Sequence, residues 1–112
     1  MLILMATECK LSADLIDPEV LRQAAEVLRV LSHHGRLRIV ELLEKGRRSV
    51  GQLAQELELP PAATSQHLSH MRAHGILSAQ RQGKEVFYRV ANPNALSVLR
   101  CIRRHGTGRA DV

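Results

Sequence analysis

Between residues 60 and 77 the chain reads PPAATSQHLSHMRAHGIL, a stretch far more polar than a core-filling helix needs to be. Thr64, Ser65, Gln66, His67 and His70 crowd one short span, over a thin apolar thread of Ala63 or Thr64, Leu68 and Met71. These are side chains suited to base edges. Glutamine matches the adenine donor–acceptor pair, serine and threonine serve either partner, and a threonine methyl can touch thymine. Arg72, and further on Arg81 and Lys84, carry the charge that phosphates attract. A plainer reading makes this an ordinary solvated helix face, so the surrounding elements have to decide.

Those elements are punctuated clearly. Asp17-Pro18-Glu19 is a helix start: a capping carboxylate, proline at the first helical position and an acid in the first turn. Val20, Leu21, Ala24, Val27, Leu28 and Leu31 follow at helical spacing. After an interruption at Ser32 to Gly35, Leu37, Ile39, Val40, Leu42 and Leu43 predict a second helix, stopped at Lys45-Gly46. Ser49 with Gln52 three residues on forms a capping box, opening a short helix to Leu57. A turn over Glu58 to Pro61 leads into the polar helix, Ala62 to Ala73, closed by His74-Gly75.

Beyond Leu77 the period changes to two. Ser78 to Gln82 and Glu85 to Val90 predict two strands around Gly83-Lys84. Asn92-Pro93 then starts a last helix with the stripe Leu96, Leu99 and Ile102. Two short helices joined by a tight turn and followed at once by a β-ribbon make a winged helix-turn-helix, mainly α with a small β-hairpin, in the order ααααββα. In that motif the second short helix enters the major groove. The expected organisation is an arm over residues 1–16, the folded unit over 17–105 and a flexible tail over 106–112.

Composition agrees. Sixteen Lys and Arg against 11 Asp and Glu leave a net charge of +5, which favours a polyanionic partner. Aromatics are 2% of the chain, so the core must be built from Leu, Val, Ile and Ala. The apolar opening Met1 to Met5 is too short for a signal peptide or a span, so a cytoplasmic protein with no membrane partner is expected. Cys9 and Cys101 do not resemble a secreted disulfide framework. Neither a nucleophile–base order nor a glycine-rich phosphate loop argues for an enzyme.

From Leu28 to Val90 the chain resembles the ArsR/SmtB family of bacterial winged-helix repressors. The resembling pieces are LSHHGRLRIVELLEKG, SVGQLAQELELPPAATSQHLSHMRAHGIL and RQGKEVFYRV. The resemblance implies a homodimer on an inverted-repeat DNA operator, released by an inducer, commonly a metal ion or a thiol-reactive species. It places Ser65, Gln66 and His67 at base-reading positions and Arg81 to Lys84 at the wing tip. It also places the first and last helices at the dimer interface, with Leu21, Leu28, Leu96 and Leu99 as contact residues.

The metal ligands of such repressors are poorly represented. Where one site has cysteines this chain has Ser49-Val50-Gly51, and the places of the other appear as Asn92, Asn94, His105 and Gly108. One histidine with neutral amides makes a poor zinc cage, leaving His105 as a weak candidate ligand. His33-His34 reads as a solvated junction, and Glu41 stands where sulfur-sensing members carry a thiol. The sensor candidates are therefore Cys9 and Cys101, open to a soft metal or to a reactive sulfur or oxygen species, with Lys10, Arg100, Arg103 and Arg104 nearby to favour a thiolate. Their plainer role is packing. No cofactor is required. Two other classes stay open: a constitutive architectural DNA-binding protein without an inducer, and a protein-interaction module. Steep weakening by salt marks phosphate binding and separates the last.

Overall fold

The computed structural model describes residues 14–106. Cys9 and Gly108, and nearly all of the expected arm and tail, lie outside the described residues. Helix α1 spans Pro18–Leu31, α2 His34–Glu44, α3 Val50–Leu57, α4 Pro61–Ala73 and α5 Pro93–His105. Strand β1 is Arg48–Ser49, β2 Leu77–Gln82 and β3 Glu85–Val90, joined antiparallel in the order β1-β3-β2. No described helix is long and apolar enough to cross a membrane.

The helix starts follow their capping chemistry. The Asp17 carboxylate accepts from the Glu19 amide at 2.8 Å. The Ser49 hydroxyl accepts from Gln52 N–H at 3.2 Å, while the Gln52 side chain accepts from Ser49 N–H at 2.9 Å. The Asn92 side chain accepts from Asn94 N–H at 2.9 Å. Each satisfies an amide that a helix start otherwise leaves unpaired.

Two features depart from the sequence reading. Helix α2 begins at His34, because His33 is its cap: its Nδ1 accepts from the Gly35 amide at 2.9 Å. Periodicity marks apolar residues, so a first turn without any escapes it. Strand β1 is two residues long and has no period of its own. It exists through pairing with β3, Arg48 opposite Tyr88 and Ser49 opposite Phe87.

The core sits where α2, α3, α4 and the sheet meet. Ile39, Val40, Leu53, Leu68, Met71 and Ile76 are fully enclosed, and Tyr88 closes the sheet side. Leu99 belongs to this core at 6% exposure, which corrects its expected place as a dimer contact. Helix α1 contributes only Val27, Val30 and Leu31, leaving Val20, Leu21 and Leu28 about half exposed.

An ion-pair cluster ties α5 to α2. Arg103 donates to both Glu44 oxygens, at 2.9 and 3.4 Å, and its guanidinium lies 3.9 Å from Glu41. Arg100 reaches Glu44 at 4.0 Å. The Arg103 hydrogen bond holds the Glu44 carboxyl below the ordinary glutamate range. A depressed carboxyl pKa stabilises the fold fully above the ordinary value and stops doing so as the pH falls through the lowered one. Glu44→Gln should therefore lower the urea midpoint at neutral pH, by an amount equivalent to about 1 kcal/mol or less, the range for partly exposed pairs. Variant and wild type should converge as the pH falls below the ordinary glutamate range and through the lowered Glu44 value, where both side chains are neutral. Midpoints recorded across pH check this.

Candidate nucleic-acid interface

Helix α4 is fixed by very few contacts. Its buried stripe is Thr64, Leu68 and Met71. The start has no side-chain cap, since Pro60 occupies that position. Thr64 ties the helix start down instead: its hydroxyl donates to the Pro60 carbonyl at 3.1 Å, and its amide reaches the same oxygen at 3.0 Å. With no exposed surface, Thr64 is a structural residue, which corrects its expected place among the base-facing side chains. The turn into α4 uses Glu58 in the left-handed conformation at φ 58°, so the chain reverses without a glycine.

The rest of α4 faces outward. Ser65, Gln66, Ser69, His70 and Arg72 are exposed along one surface. Strand β2 packs against α4, and the β2–β3 hairpin is paired from Leu77 opposite Val90 to Gln82 opposite Glu85. Gly83 closes its tip at φ 65°, a conformation that favours glycine, and Arg81, Gly83 and Lys84 are all exposed. The charge distribution is uneven. Arg22, Arg38, Arg48, Arg100 and Arg103 each face a carboxylate. Arg72, Arg81 and Lys84 take part in none of the ion pairs among the described residues, so their charge is available to an external anion.

His67 is placed differently from its neighbours. It is half-buried and turned toward α2, where Arg36 Nε donates to its Nδ1 at 3.2 Å. Arg36 also donates to the Val30 carbonyl at 3.1 Å, so one side chain links α1, α2 and α4. The His33 ring meets His67 edge-on at 4.7 Å and stacks on His34 at 5.2 Å. His33 and His34 are thus part of a helix junction rather than an idle loop. Burial, followed by the neighbouring His33 and Arg36, holds the His67 pKa below its ordinary value. His70 is lowered too, by loss of hydration and then by Arg36 and His74. No sequence signal pointed to Arg36, whose partner lies 31 residues away.

The thiol and metal candidates stand apart from this surface. Cys101 is free and exposed on α5. Leu96 is half-buried and Ile102 is 45% exposed on the same helix. His105 ends α5, and among the described residues no group of three or more His, Cys, Asp or Glu is placed to hold a metal ion.

Residues 33–79 match the family model described as bacterial regulatory protein, arsR family. The chain is 39% identical over 74 residues to the HTH-type transcriptional repressor SmtB of Mycobacterium tuberculosis, a match spanning 66% of this chain and 55% of that repressor's length. It is 37% identical over 83 residues to the transcriptional repressor PagR of Bacillus anthracis, covering 73% and 83% of the two chains. The crystal structure of PagR superposes with a TM-score of 0.68 over 77% of this chain and 99% of that one. The homodimeric winged helix-turn-helix DNA-binding domain of Mb0332 from Mycobacterium bovis is 27% identical, with a TM-score of 0.68 over 77% and 80%.

The histidine environment yields a direct check. In an NMR titration, His67 and His70 should both titrate below the ordinary value of about 6.5. Arg36→Gln should move both upward, because it removes a nearby positive charge and, for His67, a donor that favours the neutral ring. Unchanged midpoints in the variant would mean that Arg36 does not face these rings.

Proposed function

The chain belongs to the ArsR family of bacterial regulatory proteins, whose members are DNA-binding regulators and not enzymes, and on that premise we propose that it is a transcriptional repressor acting as a homodimer on an inverted-repeat operator. One observation carries the reading: α4 leaves Ser65, Gln66, Ser69 and His70 exposed, and the hairpin that follows it leaves Arg81 and Lys84 exposed and outside the ion pairs among the described residues. In this reading residues 17–105 form the DNA-binding and dimerisation unit. Gln66 and Ser65 read base edges in the major groove, Arg72, Arg81 and Lys84 hold phosphates, and His67, turned toward α2, positions the helix rather than reading bases.

Dimerisation is supported by the apolar surface that the protomer leaves uncovered. Leu21 and Leu28 of α1 are each 52% exposed, and Ile102 of α5 is 45% exposed. Pairing α1 and α5 with a second copy would bury them and set two α4 helices against half-sites about one helical turn apart, roughly 34 Å. The switch would act through the thiols. Cys101 is exposed between Arg100 and Arg103, and Cys9 precedes the described residues. Oxidation, persulfidation or soft-metal capture there changes how the subunits are set. An inducer shifts the equilibrium only as far as it prefers the DNA-free state.

Purified protein and duplexes selected from a random pool test the reading. Gln66→Ala should lose about 1–3 kcal/mol of discrimination between selected and scrambled duplexes at fixed salt. Lys84→Ala should weaken both equally and reduce the salt slope by about one unit. Absence of selected sequences would sink the repressor reading.

For the switch, oxidant, polysulfide or cadmium should lower operator affinity in wild type and leave Cys9→Ser and Cys101→Ser unaffected, with thiol state read by mass spectrometry. Equal responses in all three proteins would reduce the cysteines to packing residues.

A further inference from the structure

Between α2, the α3–α4 turn and α5 runs a groove of about 1180 Å³, somewhat larger than the roughly 300–1,000 Å³ of small-molecule sites. Its walls are apolar, with Leu37, Leu57, Leu59 and Leu99 among them. Its polar groups are strongly one-sided. Both carboxylates on the lining are already engaged: Glu41 by Arg38 and Arg103, Glu56 by Arg48 at 3.0 Å.

The imidazoles are in the opposite condition. His33 and His67 both line the groove, and each has its Nδ1 occupied as an acceptor, from the Gly35 amide and from Arg36 Nε. A neutral imidazole that accepts at Nδ1 must carry its proton at Nε2. Both rings are therefore fixed as Nε2–H donors, and neither Nε2 has a partner among the described residues. Gly35 lies beneath them: a β-carbon there would come within 3.1 Å of the His33 ring and 3.7 Å of His67 Nε2. The glycine keeps that space clear.

We propose that this groove binds a small apolar carboxylic acid, its carboxylate taking the imidazole N–H donors of His33 and His67 and its hydrocarbon lying along the leucines. A carboxylate fits because its two oxygens can accept from donors on two rings whose centroids lie 4.7 Å apart, and it has no proton to place against them. Because His67 belongs to α4 and His33 caps α2, occupancy changes how α4 is held, and so the fit to DNA. The effect on DNA rests on the repressor reading; the binding itself does not. By reciprocity, whatever factor the acid takes from DNA affinity, DNA takes from affinity for the acid.

Calorimetry on the full chain with decanoate, decanol and propionate as probes tests this. Decanoate should bind about tenfold more tightly than decanol, the difference that one well-made polar contact supplies, and propionate should not register. His33→Asn keeps a good capping residue for α2 but removes the imidazole donor. It should weaken decanoate several-fold and leave decanol unchanged, and His67→Leu should do the same; circular dichroism confirms that both are folded. Equal affinity for decanoate and decanol, no decanoate binding, or variants that bind decanoate like wild type would each overturn the proposal. If decanoate binds as expected while no duplex is selected by the protein, the site stands and the repressor reading falls.

Discussion

The organisation of this molecule depends on how few side chains hold α4. A helix that presents most of its circumference to an outside partner cannot also bury most of it. Thr64, Leu68 and Met71 are what remains for the core, and all three are fully enclosed. Leucine and methionine supply apolar contact with no unpaired polar atom. Threonine adds a hydroxyl that ties the helix start to Pro60 where no capping side chain is present. Each buried contact therefore matters more here than in a helix with a broad apolar face. Arg36 adds a polar hold through His67, which borders the buried stripe.

The electrostatics follow this division in part, since Arg29, Lys45, Arg47, Arg89 and Arg104 also stand outside the ion pairs among the described residues. Between α5 and α2, Arg100 and Arg103 are matched to Glu41 and Glu44, and near β1 Arg48 is matched to Glu56. Those charges contribute local attachment and little external field. On the α4 and hairpin side, Arg72, Arg81 and Lys84 have no such matching among the described residues. The net excess of +5 thus falls partly where a polyanion can use it. Long-range attraction depends on unpaired charge rather than on total basic content.

The apolar side follows a third logic. With one Phe and one Tyr in the chain, the core is assembled from small aliphatic side chains and is correspondingly modest. Helix α1 is anchored through its last turns only, and its first half keeps Val20 and Leu21 exposed. Arg36, bonded to the Val30 carbonyl as well as to His67, runs from the anchored end of α1 to α4. The same junction carries the groove with its two imidazole donors.

Much of this was legible in the sequence because its causes are local. Capping residues, proline and glycine punctuation, and the change of period after Leu77 depend on neighbours a few positions apart. They located all five helices and the hairpin, and the polarity of α4 marked its outward face. Tertiary structure alone decided the rest. Whether Thr64 pointed in or out turned on a rotation of the helix that its thin apolar thread left open between Ala63 and Thr64. Leu99 was assigned to a partner because a stripe shows that a face is covered, not by what. Strand β1, the cap at His33, the Arg36–His67 bond and the Arg103–Glu44 pair had no signature at all. Each joins groups whose meeting depends on the path of the chain between them, and for Arg103 that path is 59 residues long.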